Sequence, residues 1–193
     1  MLIYPYRGDY LTNDSTWCRR GFVPASTYKI LHTLIIRETG AVADTNEVLL
    51  WDGQERSIEA WNRDHSLRSA FQSSCVPCYQ RLAHRVGVDR MRHYVEAAGY
   101  GAMQIDTNSL DHFWLRGASR ITPFDQVAFL ERLYRDQLPF APQHLAFVKD
   151  ILIAERQDDK ILRGKTGWAM DDQQNIGWYV GWVEQQGQPT FFA

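Results

Sequence analysis

The sequence contains little cysteine and little lysine, has almost no net charge and has no long apolar run. Three cysteines are too few for the disulfide framework on which small secreted domains depend. A formal net charge of −2 provides no overall field to attract nucleic acid or an anionic membrane. No apolar run approaches the roughly 20 residues that cross a bilayer. These features argue against a disulfide scaffold, a basic nucleic-acid binder and a membrane-spanning segment.

The remaining composition is that of an ordinary globular protein. Of its 193 residues, 45% are hydrophobic and 13% are aromatic, which is enough for one sizeable core. We predict a single catalytic domain over 1–193, with a mixed α/β lobe from 1–39 and 160–193 and a mainly helical lobe from 40–159. Both ends fall in apolar, strand-like runs without a signal peptide at the start, so we expect this domain to be incomplete.

Strand patterns lie near both ends of the chain, with helical patterns between them. Aromatic and aliphatic residues predict strands at 1–6, 10–13, 161–162, 176–183 and 190–192, and the polar stretch 170–175 predicts a hairpin. A buried stripe with helical spacing begins after Ser26 and ends at Gly40. Further helices are expected within 66–86 with a break at Pro77, and at 89–99, 122–133 and 143–154.

Two of the four lysines lie in motifs that indicate serine chemistry. Ser26 and Lys29 form an S-x-x-K pair at the predicted start of a helix, where the lysine lies one turn after the hydroxyl. A serine hydroxyl is a poor nucleophile until a neighbouring group removes its proton. A lysine in apolar surroundings has a lowered pKa and can act as this base, directly or after reaction with carbon dioxide to give a carbamate. The alternative is a helix-capping serine followed by a solvated lysine.

Two later motifs give the first one more weight. Ser74 begins an S-x-V triplet ending at Val76, and a second hydroxyl near the nucleophile can relay a proton. Residues 165–167 read K-T-G, where the glycine lets a substrate approach a strand edge and Lys165 supplies positive charge. Taken separately, each motif is equally compatible with a surface serine or an ordinary turn. Their order along the chain makes a joint role the better interpretation.

The cysteine pair Cys75 and Cys78 forms a C-x-x-C motif with a proline inside it. Redox sites of this kind follow a strand and open a helix, whereas the residues that precede Cys75 have a helical pattern. We therefore interpret the pair as two thiols one turn apart beside the site. Whether they bond is left open by the sequence.

The combination of motifs resembles the class D serine β-lactamases, the oxacillinases. The resemblance extends over nearly all of the chain, with matches at 22–29, 61–68, 74–76, 100–101, 113–115, 165–168 and 176–182. It implies an α+β protein with the β-lactamase/penicillin-binding (transpeptidase-like) fold, in which an antiparallel sheet is flanked by helices and joined to a helical lobe. It also implies hydrolysis of β-lactam antibiotics without a metal, in the periplasm, by a protein that can form a homodimer.

The resemblance assigns roles to particular residues. Ser26 would form the acyl-enzyme, Lys29 would be N-carboxylated and act as general base, and Trp114 would hydrogen-bond the carbamate. Ser74 would assist proton transfer. The substrate would be lined by the following residues: Val76, Tyr100, Lys165, Thr166, Gly167 and Trp168. The backbone N–H groups of Ser26 and Trp168 would form the oxyanion hole.

One departure and two alternatives accompany the resemblance. The family's Tyr-Gly-Asn motif reads Tyr100, Gly101, Ala102 here, so a polar side chain at the rim is missing. A penicillin-sensing receptor domain shares the fold and is acylated without turnover. A penicillin-binding transpeptidase or carboxypeptidase is the third possibility, although Trp114 and the K-T-G-W form at 165–168 favour the lactamase.

Overall fold

The computed structural model describes residues 1–5, 8–171 and 174–193, and they contain one six-stranded sheet. All pairings are antiparallel, and the strand order is β2-β1-β6-β5-β4-β3. The strands are β1 (Leu2–Pro5), β2 (Leu11–Thr12), β3 (Ile153–Gln157), β4 (Lys160–Asp171), β5 (Gln174–Gln185) and β6 (Gln188–Phe192). Because β1 pairs with β6, residues from both ends of the chain meet in the middle of the sheet. The predicted antiparallel sheet is confirmed, although two residues of the predicted hairpin, 172 and 173, lie outside the described residues.

The described part of the chain contains seven α-helices. They are α1 (Ser15–Arg19), α2 (Lys29–Glu38), α3 (Leu67–Gln72), α4 (Val76–Val86), α5 (Val88–Ala98), α6 (Pro123–Tyr134) and α7 (Pro142–Ile151). Every residue of α2 from Lys29 to Ile36 is buried, because α3, α4, α5 and α7 all pack around this helix. Gly40 follows it with φ +64°, which agrees with the predicted stop. Thus α2 is the central helix, and it begins at the S-x-x-K motif.

Helix α6 shows how local sequence fixes a boundary. Thr122 and Asp125 form a reciprocal capping box, and Pro123 occupies the first turn, where its missing N–H costs no hydrogen bond. The helix therefore begins where the sequence predicted. Its apolar side packs on β5, β6 and β1, so it joins the helical part of the molecule to the sheet.

The break between α3 and α4 lies earlier than predicted. We expected an interruption at Pro77, but the chain leaves helical geometry at 73–75, where Ser74 has φ +55°. Pro77 lies in the first turn of α4, a position that tolerates proline. The prediction was wrong by a few residues because proline interrupts a helix when it lies in the helix interior, whereas in the first turn it is tolerated.

Strand β3 is a second difference from the prediction. The helix predicted at 143–154 ends at Ile151, and Ile153–Gln157 pairs with β4 as a strand. It is an edge strand with little burial, so its pairing with β4, and not its own apolar pattern, determines its conformation. The division of the chain into two lobes stays a prediction.

Candidate active site

The nucleophile candidate and its base are in direct contact. Lys29 Nζ lies 2.9 Å from Ser26 Oγ. Residues Ala25–Tyr28 form a short 3-10 turn that runs directly into α2, and the side chain of Ser26 makes no capping bond to the helix. The alternative of a helix-capping serine with a solvated lysine is therefore excluded, since Lys29 is 0% exposed.

The turn that carries Ser26 is held in a strained conformation. Ala25 has φ +51°, a region that non-glycine residues rarely occupy and that is maintained only when the surroundings impose it. The Ala25 N–H donates to the Trp114 carbonyl oxygen at 2.8 Å, and the Thr27 hydroxyl donates to the Pro24 carbonyl oxygen at 2.6 Å. These bonds fix the backbone on both sides of the half-buried Ser26.

The surroundings of Lys29 favour an uncharged amine. Burial lowers the pKa of Lys29 well below its usual value, and the positive charge of Lys165 lowers it further. Among the residues that the structure describes, no carboxylate is hydrogen-bonded to the amine, and Nζ lies 5.3 Å from the centre of the Tyr79 ring. A neutral amine of this kind can accept a proton or react with carbon dioxide.

Two aromatic neighbours of Lys29 carry buried polar atoms without a partner. Among the described residues, Trp114 Nε1 and both ring nitrogens of His32 make no hydrogen bond, and both side chains are 0% exposed. Their rings lie 5.2 Å apart. Trp114 also stacks on Tyr28, the residue before Lys29, and His32 follows Lys29 by one helical turn. Buried polar groups are nearly always paired, so unpaired nitrogens in this cluster fit a carboxylate attached to the Lys29 amine. The residues present therefore fit the carbamate that the resemblance implies.

The second serine is paired with the second lysine. Lys165 Nζ donates to Ser74 Oγ and to the Thr166 carbonyl oxygen, each at 3.0 Å. The side chain of Lys165 comes from β4 and Ser74 from the α3–α4 break, so this contact joins the sheet to the helices. Burial lowers the pKa of Lys165 to about 8, which makes it both a cation and an accessible proton donor near neutral pH.

A disulfide lies directly after Ser74. Cys75 and Cys78 are bonded to each other across the first turn of α4, which answers the question that their spacing left open. Both residues are buried, and Cys75 also accepts a hydrogen bond from the Cys78 N–H. The disulfide thus links the last residue of the α3–α4 break, which contains Ser74, to the first turn of α4.

The K-T-G strand lies against the nucleophile turn. A Cβ on Gly167 would approach the backbone nitrogens of Ser26 and Thr27 to 3.2 Å, so glycine permits this close packing. Thr166 is exposed, and so is Trp168, at 68%. Val76 is half-buried at the first residue of α4. Gly167 thus lies beside the Ser26 turn, and the contacts of Thr166, Trp168 and Val76 with a substrate remain predictions.

Tyr100 does not have the position that a substrate-binding residue needs. It is 1% exposed and its ring packs edge-on against Phe129 at 4.8 Å. Its hydroxyl donates to Gln126 Oε1 at 3.3 Å, and Gln126 Nε2 donates to Thr27 Oγ1 at 2.8 Å. The prediction that Tyr100 lines the substrate is therefore corrected: it supports the turn beside Ser26 through Gln126.

Sequence reasoning missed three residues that surround the site. His32 and Tyr79 form the apolar box around Lys29, and Gln126 lies behind Thr27. A signal existed for His32, since it follows Lys29 by one helical turn within a buried run. No local signal identifies Tyr79 or Gln126, because each reaches the site from a distant helix.

Comparisons with known proteins agree with this geometry. The penicillin-binding protein transpeptidase domain family matches residues 5–193. Beta-lactamase OXA-48 from Klebsiella pneumoniae is 41% identical over 182 residues, covering 94% of this chain and 68% of that protein. Beta-lactamase OXA-20 from Pseudomonas aeruginosa is 45% identical over 172 residues, covering 89% of this chain and 63% of that protein. The chain thus spans 68% and 63% of the lengths of these two relatives.

Solved structures give the same result. The class D beta-lactamase YbXI from Nostoc superposes with a TM-score of 0.95 at 42% identity, covering 99% of this chain and 81% of that one. FUS-1 (OXA-85), a class D beta-lactamase from Fusobacterium nucleatum subsp. polymorphum, gives a TM-score of 0.93 at 37% identity, covering 99% and 80%. In the described part of the chain, no helix is long and apolar enough to cross a membrane. The predicted family and fold are confirmed: this chain belongs to the class D serine β-lactamases.

Proposed function

We propose that this chain hydrolyses β-lactam antibiotics through an acyl-serine intermediate. The observation that carries the proposal is the 2.9 Å contact between Ser26 Oγ and the fully buried Lys29 Nζ. Family membership supports the same activity, since the relatives are named β-lactamases. Because the chain spans 63% to 69% of the length of several of these relatives, the activity of the chain as it stands is part of the proposal.

The first step is attack by Ser26 on the lactam carbonyl carbon. Lys29 removes the hydroxyl proton, the Ser26 oxygen bonds to the carbonyl carbon, and the ring C–N bond then breaks. When Lys29 is carboxylated, its carboxylate supplies a base of lower pKa than an amine. Trp114, whose buried Nε1–H has no partner among the described residues, would donate to that group and keep the base beside Ser26. The proton taken from Ser26 is passed on towards the ring nitrogen, which frees the base. The base then removes a proton from a water molecule whose oxygen bonds to the acyl carbon, and it gives that proton to Ser26 Oγ as the ester C–O bond breaks.

The departing ring nitrogen needs a proton. Ser74 and Lys165 are joined by a 3.0 Å hydrogen bond, and Lys165 has a pKa of about 8, so the pair can pass a proton to the nitrogen near neutral pH. Below that pKa, the Lys165 cation also attracts the carboxylate that β-lactams carry.

The substrate would lie along residues 165–168 of β4. We assign the oxyanion hole to the backbone N–H groups of Ser26 and Trp168, on either side of the close contact made by Gly167. Thr166 and Gly167 would align the substrate along the strand, and Val76 would provide an apolar wall near Lys29. We retain the periplasm as the proposed location and a homodimer as the proposed assembly.

Nitrocefin hydrolysis tests the proposal directly. Steady turnover that increases with added bicarbonate is expected, and Ser26→Ala should abolish it while the protein remains folded. A single stoichiometric burst without turnover would instead favour the penicillin-sensing alternative. Turnover of a D-Ala-D-Ala peptide with no nitrocefin hydrolysis would favour the transpeptidase or carboxypeptidase alternative.

A further inference from the structure

His32 is a buried polar residue that the mechanism above does not use. It lies on α2 one turn after Lys29 and is 0% exposed. Within the described residues, neither Nδ1 nor Nε2 has a hydrogen-bond partner. An imidazole always carries at least one N–H donor, so a wholly buried and unpaired ring is an unusual choice for a core position.

The ring of His32 is enclosed by the aromatic residues that also surround Lys29. Its centroid lies 5.2 Å from that of Tyr79, 5.2 Å from that of Trp114 and 5.4 Å from that of Tyr28. Lys29 Nζ lies 5.3 Å from the same Tyr79 ring. His32 and the amine are therefore adjacent to a common aromatic wall, with Trp114 as the other unpaired donor.

His32 is a neutral donor throughout the physiological range. Burial, and secondly the nearby Lys29, lower the pKa of His32 to about 3. At neutral pH the ring thus has one N–H and one acceptor nitrogen, and it adds no charge that would oppose an anion on Lys29. Because the ring is not an imidazolium in this range, it does not act as an acid, and its contribution would be a hydrogen bond from its one N–H.

We infer that His32 is a positioning residue that donates a second hydrogen bond, beside that of Trp114, to the carboxylate formed when carbon dioxide adds to Lys29. In this addition, the neutral amine nitrogen bonds to the carbon, one N–H proton leaves to solvent, and the product carries one negative charge. The inference rests on the proposed function and assigns a stabilising role to a residue of this chain.

The role makes an unusual pair of predictions for His32→Phe. The change keeps an aromatic ring in the box but removes both nitrogens, so the unpaired buried group is gone and the melting temperature in bicarbonate-free buffer should stay equal or rise. The carboxylate on Lys29 should be left with one hydrogen-bond donor fewer, so carbon dioxide should dissociate from Lys29 more readily. A purely structural histidine would give the opposite pattern, with lower stability and an unchanged response to bicarbonate.

The carboxylate can be measured without substrate by ¹³C NMR, by titrating the protein with ¹³C-labelled bicarbonate. We expect His32→Phe to need about ten- to a hundredfold more bicarbonate than the wild type for half-maximal carbamate signal. His32→Gln, which retains an N–H donor, should recover part of this difference. Trp182→Phe is the matched control, since it removes another unpaired buried N–H in the sheet and should leave the titration unchanged.

Each outcome decides the inference. Equal half-saturation in the wild type and His32→Phe would overturn it, as would the absence of any carbamate signal in a wild type that hydrolyses nitrocefin. The wild type could form the carbamate without hydrolysing nitrocefin. If His32→Phe then needed more bicarbonate than that wild type, the inference would be supported and only the proposed function would be contradicted. If His32→Phe does not fold, His32→Leu carries the same expectation.

Discussion

The Ala25 N–H donates to the Trp114 carbonyl oxygen at 2.8 Å, so the residue before the nucleophile is bonded to the residue proposed to hold the base. This bond involves only backbone atoms of both residues. A change in the Trp114 side chain therefore leaves it in place, and the nucleophile turn can be separated experimentally from the indole N–H.

Trp114→Phe should slow deacylation while leaving the Ser26 turn intact. It keeps a buried ring against Tyr28 but removes Nε1–H, so we expect turnover to fall by about a hundredfold, the range of general-base effects. Mass spectra should show accumulated acyl-enzyme, and Trp114→Ala should show at least as much. Unchanged turnover in both variants would refute the proposed role of Trp114.

The pH profile of kcat/KM should be bell-shaped. The Lys29 amine can accept a proton or react with carbon dioxide only when it is uncharged. Because burial lowers its pKa, the neutral form persists to lower pH than in an exposed lysine, and it is lost as the pH falls through that lowered value. Lys165 is a cation below a pKa of about 8, so KM should rise as the pH increases through about 8. Lys165→Arg, which stays charged, should remove the alkaline rise in KM. A profile without an alkaline limb near pH 8 would contradict the assignment of Lys165, and one without an acid limb would contradict that of Lys29.

Ser74→Ala should reduce acylation more than binding. The change removes the hydroxyl that accepts the Lys165 hydrogen bond, so the leaving nitrogen loses its proton path and kcat should fall by about 10² or more. Stopped-flow acylation rates would measure this effect. Ser73→Ala is the neighbouring control, because the Ser73 hydroxyl donates to the Ser69 carbonyl oxygen and has no bond to Lys165. Equal acylation rates in the two variants would argue against the relay.

Gly167→Ala should impair the oxyanion hole. The added Cβ would lie 3.2 Å from Ser26 N and 3.1 Å from Thr27 Cγ2, so the nucleophile turn must move by a few tenths of an ångström. We expect a loss of about 10² in kcat/KM, comparable with losing one oxyanion donor. Gly177→Ala on β5 is the matched control, since its Cβ would meet no atom within 4 Å. A loss of the same size in both variants would count against the oxyanion explanation.

Gln126→Leu should lower stability through the turn at Thr27. Gln126 is fully buried and bonds both Thr27 and Tyr100, so an apolar replacement leaves those hydroxyls with fewer partners and should cost about 1–3 kcal/mol. Urea denaturation would measure the change in the free energy of unfolding. Gln104→Leu at an exposed position should be close to neutral, and a similar loss there would make the network explanation untenable.

Sequence alone established the parts of the site that depend on short-range spacing. A lysine three residues after a serine at a helix start must lie on the same side one turn later, and the 2.9 Å contact between Lys29 and Ser26 agrees with this. The start of α6 followed from Pro123 in its first turn, and the end of α2 from Gly40. The order of the three motifs was sufficient to indicate the family.

Tertiary structure decided everything that depends on burial or on distant partners. The hydrogen bond between Lys165 and Ser74 joins residues 91 positions apart, and no local pattern specifies such a contact. Tyr100 is buried, although its motif had indicated a substrate residue, and Cys75 is bonded to Cys78, although the spacing left this open. Strand β3 exists through its pairing with β4.

The charge state of Lys29 illustrates this division most clearly. The sequence determined where the amine stands relative to the hydroxyl, because a helix has a fixed pitch. Only the packing of other segments around α2, among them the rings of Tyr79 and Trp114, decided that water is excluded from that amine. Desolvation of the amine depends on which side chains from distant segments pack around it. This desolvation lowers the pKa of Lys29 and lets the amine act as a base.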